Sequence, residues 1–195
     1  PDERTSVQVT VREFAQLNDD DAFPASVAVG PDGRVYTGSY DTGAIYIIPT
    51  VGDDGNIIEI DGTRERIGAV TGITVGPDST IYVLDRADSN PRAAGGTVWH
   101  ISPDGTITDL GEPGSVDGFI APGHITIDNE GNLYVTDRGT REIWRYNIED
   151  DDTDRIWQVP EDIARAGDMI PTGITYDATT DTLIVNDSEV NVIFR

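Results

Sequence analysis

The stretch Val27-Ala28-Val29-Gly30-Pro31-Asp32-Gly33 returns as Ile73-Thr74-Val75-Gly76-Pro77-Asp78 and as Ile125-Thr126-Ile127-Asp128-Asn129-Glu130-Gly131. A looser copy follows at Ile174-Thr175-Tyr176-Asp177. A β-branched apolar run that stops at a Gly/Pro/Asp cluster is a strand entering a tight hairpin, because such turns need residues that tolerate positive φ. Val29 to Val75 spans 46 residues, Val75 to Ile127 spans 52, and Ile127 to Tyr176 spans 49. Periods of this size suit propeller blades.

Outward from the quoted stretch, each copy keeps the same order of elements. A second strand is read at Arg34 to Gly38, Thr80 to Leu84, Asn132 to Thr136 and Thr182 to Asn186. A third follows at Ala44 to Ile48, Thr97 to Ile101, Glu142 to Tyr146 and Val190 to Phe194. A more polar fourth closes the first three copies, at Asn56 to Ile60, Thr106 to Leu110 and Asp154 to Val159. The gradient from apolar first strand to polar last strand is that of blades around a central channel. The expected fold is therefore an all-β propeller of four-stranded antiparallel blades, with about four blades visible. It is read as one domain over residues 1–195, with full repeats at 23–69, 70–120 and 121–170 and a partial repeat at 171–195. The partial repeat lacks its fourth strand. Val7, Val9 and Val11 alternate with polar neighbours, so residues 6–17 are expected to supply it, with Ser6 to Glu13 as the pairing strand. Two alternatives stay open: a piece of a larger propeller, or two chains sharing one ring.

The 195 residues carry 36 Asp+Glu against 13 Lys+Arg, a formal charge of −23. All thirteen cations are arginine, and Asp (26) outnumbers Glu (10). Such a surface repels phosphate backbones and anionic membranes, which excludes nucleic-acid binding. No apolar run reaches the ~20 residues of a membrane span. The absence of cysteine removes disulfides and thiolate chemistry. The missing lysine and the dense carboxylates suggest a halophilic source, and Pro1, without a methionine or an apolar leader, suggests an exported protein placed outside the cell or on its surface.

The blocks Phe23 to Val29, Gly131 to Asp137 and Glu142 to Tyr146 resemble the SMP-30/gluconolactonase/LRE-like propellers and the related NHL-repeat and strictosidine-synthase-like groups. The resemblance runs from about Phe23 to Arg195. It implies a divalent cation such as calcium at the channel mouth, held by Glu and Asn at inner-strand starts and Asp after a second strand. The inner-strand slots here hold Ala25, Thr71, Gly123 and Thr172, whereas the second-strand slot holds Asp85, Asp137 and Asp187, with Ser39 in the first copy.

These aspartates have two readings: metal ligands, or acceptors for backbone N–H groups in the turn that follows. Arg86 and Arg138 follow two of them and are candidates to bind a ligand carboxylate, or to pair with a neighbouring Asp. His124 replaces the glycine of the repeated Thr-Gly-Ile and is, with Asp137, a candidate for catalysis as a general base on water; hydrogen-bonded packing is the other reading. His100, beside Trp99, reads as packing. The acidic runs Asn18 to Asp21 and Glu149 to Asp154 read as solvated turns, and residues 160–170 as a short helix or loop. The sequence thus points to a propeller that binds a small-molecule ligand or a protein partner at its channel mouth. The alternatives are a metal-dependent lactone or ester hydrolase and a structural subunit that self-associates through the open blade edge.

Overall fold

The chain is described by a computed structural model at residues 11, 13–49, 56–86, 90, 94–111, 119–150, 152–158 and 169–195. Among these residues fifteen strands form four antiparallel sheets. The first holds β1 (Pro24–Val29), β2 (Val35–Ser39), β3 (Ile45–Ile48) and β4 (Ile58–Glu59). The second holds β5 (Val70–Val75), β6 (Ile81–Asp85), β7 (Thr97–Ile101) and β8 (Ile107–Asp109). The third holds β9 (Pro122–Ile127), β10 (Asn132–Asp137), β11 (Glu142–Asn147) and β12 (Asp152–Gln158), and the fourth β13 (Pro171–Asp177), β14 (Thr182–Asp187) and β15 (Ile193–Phe194). Each sheet is a meander in chain order, the blade of a propeller. Blade 4 has three strands among the described residues, and the expected closing strand, Ser6 to Glu13, falls almost wholly outside them, as does most of 160–170. No described helix is long and apolar enough to cross a membrane.

The blades stand side by side through their first strands: β1 packs on β5, β5 on β9, and β9 on β13. Strand alternation gives every blade two faces, so one blade's trailing face meets the next blade's leading face. The seam between blades 1 and 2 joins Tyr36, Ile45 and Ile47 to Ile73, Val83 and Ile101. The next joins Tyr82, Leu84 and Val98 to Ile125, Val135 and Trp144, and the third joins Ile143 and Trp157 to Ile174, Val185 and Phe194. The core is these three apolar slabs. Among the described residues no such packing joins β13 to β1.

Each β1–β2-type hairpin closes on an Asp whose carboxylate accepts a backbone N–H two residues on: Asp32 from Arg34, Asp78 from Thr80 and Asp177 from Thr179. Asp128 accepts from Glu130 and Asn132 and from the side chains of Asn132 and Tyr134. The last turn residue is left-handed in every blade, at Gly33, Ser79, Gly131 and Asp181. At Gly131 (φ 87°) a Cβ would touch nothing within 4 Å, so substitution there isolates backbone strain. Gly131→Ala is expected to destabilise the chain by about 1 kcal/mol, since the left-handed cost outweighs the entropy lost by the unfolded chain. A urea-denaturation midpoint reads this directly.

Candidate functional site

The end of the blades where each first strand starts and each second strand stops is the end to which the sequence assigned its candidates. One bond is repeated there four times. The residue after the second strand donates its N–H to a carbonyl just before or at the start of the first strand's segment: Tyr40 to Phe23, Arg86 to Ala69, Arg138 to Ala121 and Ser188 to Ile170, at 2.9 to 3.2 Å. The preceding residue is the repeated aspartate in blades 2, 3 and 4, and Ser39 in blade 1.

All three aspartates are buried. Asp85 accepts N–H bonds from Gly68 and Ala69, both 2.9 Å, and from the Trp99 indole at 3.1 Å. Asp137 accepts from Ile120 (2.8 Å), Ala121 (3.0 Å), Gly139 (2.8 Å) and Thr140 (3.3 Å). Asp187 accepts from Ile170 (2.5 Å), Glu189 and Val190 (both 2.8 Å). In blade 1 the smaller Ser39 does part of the same work, its Oγ accepting from Asp41 and Thr42. Each carboxylate therefore bridges the incoming segment and, in blades 3 and 4, the outgoing turn, and it faces donors rather than further oxygens.

A divalent cation needs six or more converging oxygen ligands if it is calcium. Among the described residues no three His, Asp or Glu side chains gather to hold one. The inner-strand slots add no carboxylate, and the aspartate oxygens are occupied by N–H groups. The donor set among the described residues does not fit a divalent cation.

His124 is half-buried on the trailing face of β9, and its Nδ1 lies 3.0 Å from the Ile174 carbonyl on β13. A carbonyl only accepts, so Nδ1 carries the proton and the lone pair of the neutral ring is on Nε2. Burial pushes the His124 pKa down. Two more bonds cross the same seam, from the Thr136 hydroxyl to the Thr172 carbonyl (2.8 Å) and from the Tyr176 N–H to Thr126 Oγ1 (3.2 Å). Ser26 holds the same register position in blade 1, its Oγ accepting the Ile73 N–H of blade 2 at 3.0 Å. Position 72 in blade 2 is glycine because a Cβ there would stand 2.9 Å from the Ile125 backbone nitrogen. Ser26 and His124 thus bond one blade to the next and Gly72 sets how closely two blades approach, whereas a Cβ at the equivalent Gly173 would meet Asn186 of its own blade. Sequence reasoning missed Ser26, Thr126 and Thr136. Their only signal was their position in the repeat.

His124 and Asp137 are not brought together. His124 pairs with Thr136, so Asp137, the next residue of β10, leaves the opposite face. Arg138 is exposed, and its Cδ lies over Gly123, where a Cβ would approach it to 3.2 Å. Arg86, half-buried, holds the same place in blade 2. His100 packs on Tyr82 with ring centroids 5.5 Å apart. At the far end, a cleft of about 510 Å³ between blades 1 and 2 is lined by four carboxylates, three of them engaged: Asp32 with Arg34, Glu59 with Arg64, and Asp104 with Ser102 and Thr106.

Comparison with known proteins bears on this arrangement. Residues 12–48 match the N-terminal region of strictosidine synthase-like proteins. The fold matches a virginiamycin B lyase from Staphylococcus aureus (20 % identity, TM-score 0.67, 94 % of this chain and 54 % of that one). It also matches a gluconolactonase from Xanthomonas campestris (20 %, 0.65, 89 % and 59 %) and a chain of a nidogen/laminin complex (20 %, 0.66, 87 % and 58 %). The chain has the fold of the SMP-30/gluconolactonase-like propellers. It spans a little over half the length of these structures. No curated protein matches it in sequence.

Two outcomes follow from the geometry. Asp137→Ala leaves at least three backbone N–H groups without their acceptor, and at ~1 kcal/mol or more each it is expected to cost roughly 3 kcal/mol or more in urea unfolding. Calcium and chelator are both expected to leave the unmutated chain's midpoint unmoved; a calcium-dependent rise that Asp137→Ala removes would make this carboxylate a ligand instead. For His124 the folded pKa lies below the 6.5 of the free side chain, so the unfolded chain binds the extra proton first. Stability is therefore complete above that value and falls as pH drops through it. His124→Asn is expected to flatten the thermal midpoint between about pH 7.5 and 5, a window above most carboxylate titration.

Proposed function

We propose that this propeller binds a small anionic ligand at the mouth where its first strands begin, with Arg138 and Arg86 as the recognition groups. The observation that carries the reading is the placement of the two arginines. In a chain of charge −23 they stand at equivalent positions of adjacent blades, each fixed by a backbone bond directly after a buried aspartate. A guanidinium offers a planar fork of donors to a carboxylate, and clefts or mouths lined by rigid strands present such groups with little entropic cost. The absence of lysine and cysteine and the surplus of aspartate support an exported protein of a salty environment, extracellular or at the cell surface.

Gluconate, a polyhydroxy carboxylate, serves as the probe in titration calorimetry, alongside simple mono- and dicarboxylates. Arg138→Ala is expected to weaken binding by about 10-fold or more, the value of a lost charge-assisted bond, with the fold unchanged by circular dichroism. If the unmutated chain binds none of these carboxylates, the reading is wrong.

A second reading, hydrolysis of a lactone or related ester, is favoured by the fold shared with a gluconolactonase and by the state of His124. A ring kept neutral by burial, with its Nδ1 proton fixed on Ile174, presents Nε2 as the base that would take a proton from water. Uptake of base during incubation with glucono-lactone, compared between the unmutated chain and His124→Gln, separates this reading from binding alone.

A further inference from the structure

The cleft of about 510 Å³ between blades 1 and 2 lies at the opposite end from the two arginines and is built differently. Its blade 1 wall is a row in one register: Tyr36 pairs with Ile47, and Ile47 with Ile58. Residues paired directly across antiparallel strands share a face, so all three project towards blade 2, joined by Ile60 two residues on. The blade 2 wall brings Ile81 and Ile101, both buried. Ile58, by contrast, is 53 % exposed. The repeat shows that this row is peculiar to blade 1. The same three places hold Tyr82, His100 and Thr108 in blade 2 and Tyr134, Arg145 and Asp154 in blade 3. Where the other two blades set polar side chains on their third and fourth strands, blade 1 sets two isoleucines, and the outer one is left largely uncovered in the cleft.

The charge around this apolar floor has one sign. Four carboxylates, Asp32, Glu59, Asp61 and Asp104, line the cleft against one guanidinium, Arg34. Asp32 is turned to Arg34, Glu59 to Arg64, and Asp104 to its own turn. Among the described residues the exposed Asp61 has no such partner. We propose that the cleft binds a small organic cation, an ammonium group on an aliphatic or aromatic stem. The stem lies on Tyr36, Ile47 and Ile58, and the ammonium meets Asp61. The apolar row selects for a stem, and the rim selects the sign of the charge, since an anion on the same stem would face a surplus of carboxylates. The volume falls within the range of roughly 300 to 1,000 Å³ found for small-molecule sites. Every residue of the site belongs to blades 1 and 2, and its ligand carries the charge opposite to that proposed at the mouth. It therefore stands or falls separately from the carboxylate reading.

Titration calorimetry of the full chain at neutral pH and fixed ionic strength tests the pairing of stem and charge, with butylamine, hexylamine, hexanol and hexanoate as probes. Hexylamine is expected to bind about 10-fold more tightly than butylamine, since each fully buried methylene is worth roughly 4-fold. It is also expected to bind more tightly than hexanol or hexanoate. Ile58→Thr installs the residue that blade 2 carries at this place, and is expected to cut the gain from butylamine to hexylamine to about 3-fold while the preference for an amine persists. Asp61→Asn is expected to weaken hexylamine by about 5-fold and to leave hexanol unchanged. Both side chains are exposed, so each variant should keep the unmutated circular dichroism spectrum. An unmutated chain that gains nothing from the longer stem, or that takes hexanoate as tightly as hexylamine, overturns the proposal. So does hexylamine binding that neither substitution alters, which would place the amine elsewhere on the acidic surface.

Discussion

The arrangement rests on a buried carboxylate facing backbone N–H groups at the end of every second strand but the first. A propeller blade must bring a chain segment from the outer edge of one sheet back to the inner edge of the next, and that segment arrives without ladder partners for its last N–H groups. Asp85, Asp137 and Asp187 accept those groups and lock the crossing segment beside the first strand. Left unpaired in the interior, the same groups would carry a desolvation penalty comparable to a lost hydrogen bond each. The seams, the register of the first strands and the placement of Arg86 and Arg138 all follow from this anchoring.

The same chemistry gives the acidic composition a structural share. Ten aspartates accept backbone N–H groups among the described residues: Asp19, Asp32, Asp78, Asp85, Asp104, Asp109, Asp128, Asp137, Asp177 and Asp187. Most do so within four residues of themselves, a reach that suits a carboxylate on one methylene and not on two. The described glutamates Glu59 and Glu142 instead meet arginine side chains, Arg64 and Arg155. Part of the excess of Asp over Glu is therefore turn and clamp geometry rather than surface charge.

The fold was legible because the repeat is written in hydrophobic period and turn chemistry, both local properties. The strands over Thr97 to Ile101 and Glu142 to Tyr146 are found where the alternation places them, give or take a residue. Where an element depends on a neighbour, the sequence said less. The expected strand over Val190 to Phe194 shrinks to Ile193–Phe194, with Asn191 left-handed before it. Both roles of the repeated aspartates were readable from their position, and only the surrounding N–H groups distinguish them. His124 announced itself by breaking the Thr-Gly-Ile repeat, but its partner, the Ile174 carbonyl, lies fifty residues away in another blade. Ser26, Thr126 and Thr136 gave no such sign, because a small hydroxyl on a strand looks the same whether it faces solvent or a neighbouring backbone.

The three tryptophans of the chain are distributed one to a seam. Trp99 packs into the slab between blades 1 and 2, Trp144 into that between blades 2 and 3, and Trp157 into that between blades 3 and 4, against Phe194. A stack whose units touch only their neighbours comes apart along one dimension, each junction with its own free energy. Each junction here carries its own indole, so keeping one tryptophan at a time turns emission into a seam-by-seam record of the order in which the blades separate.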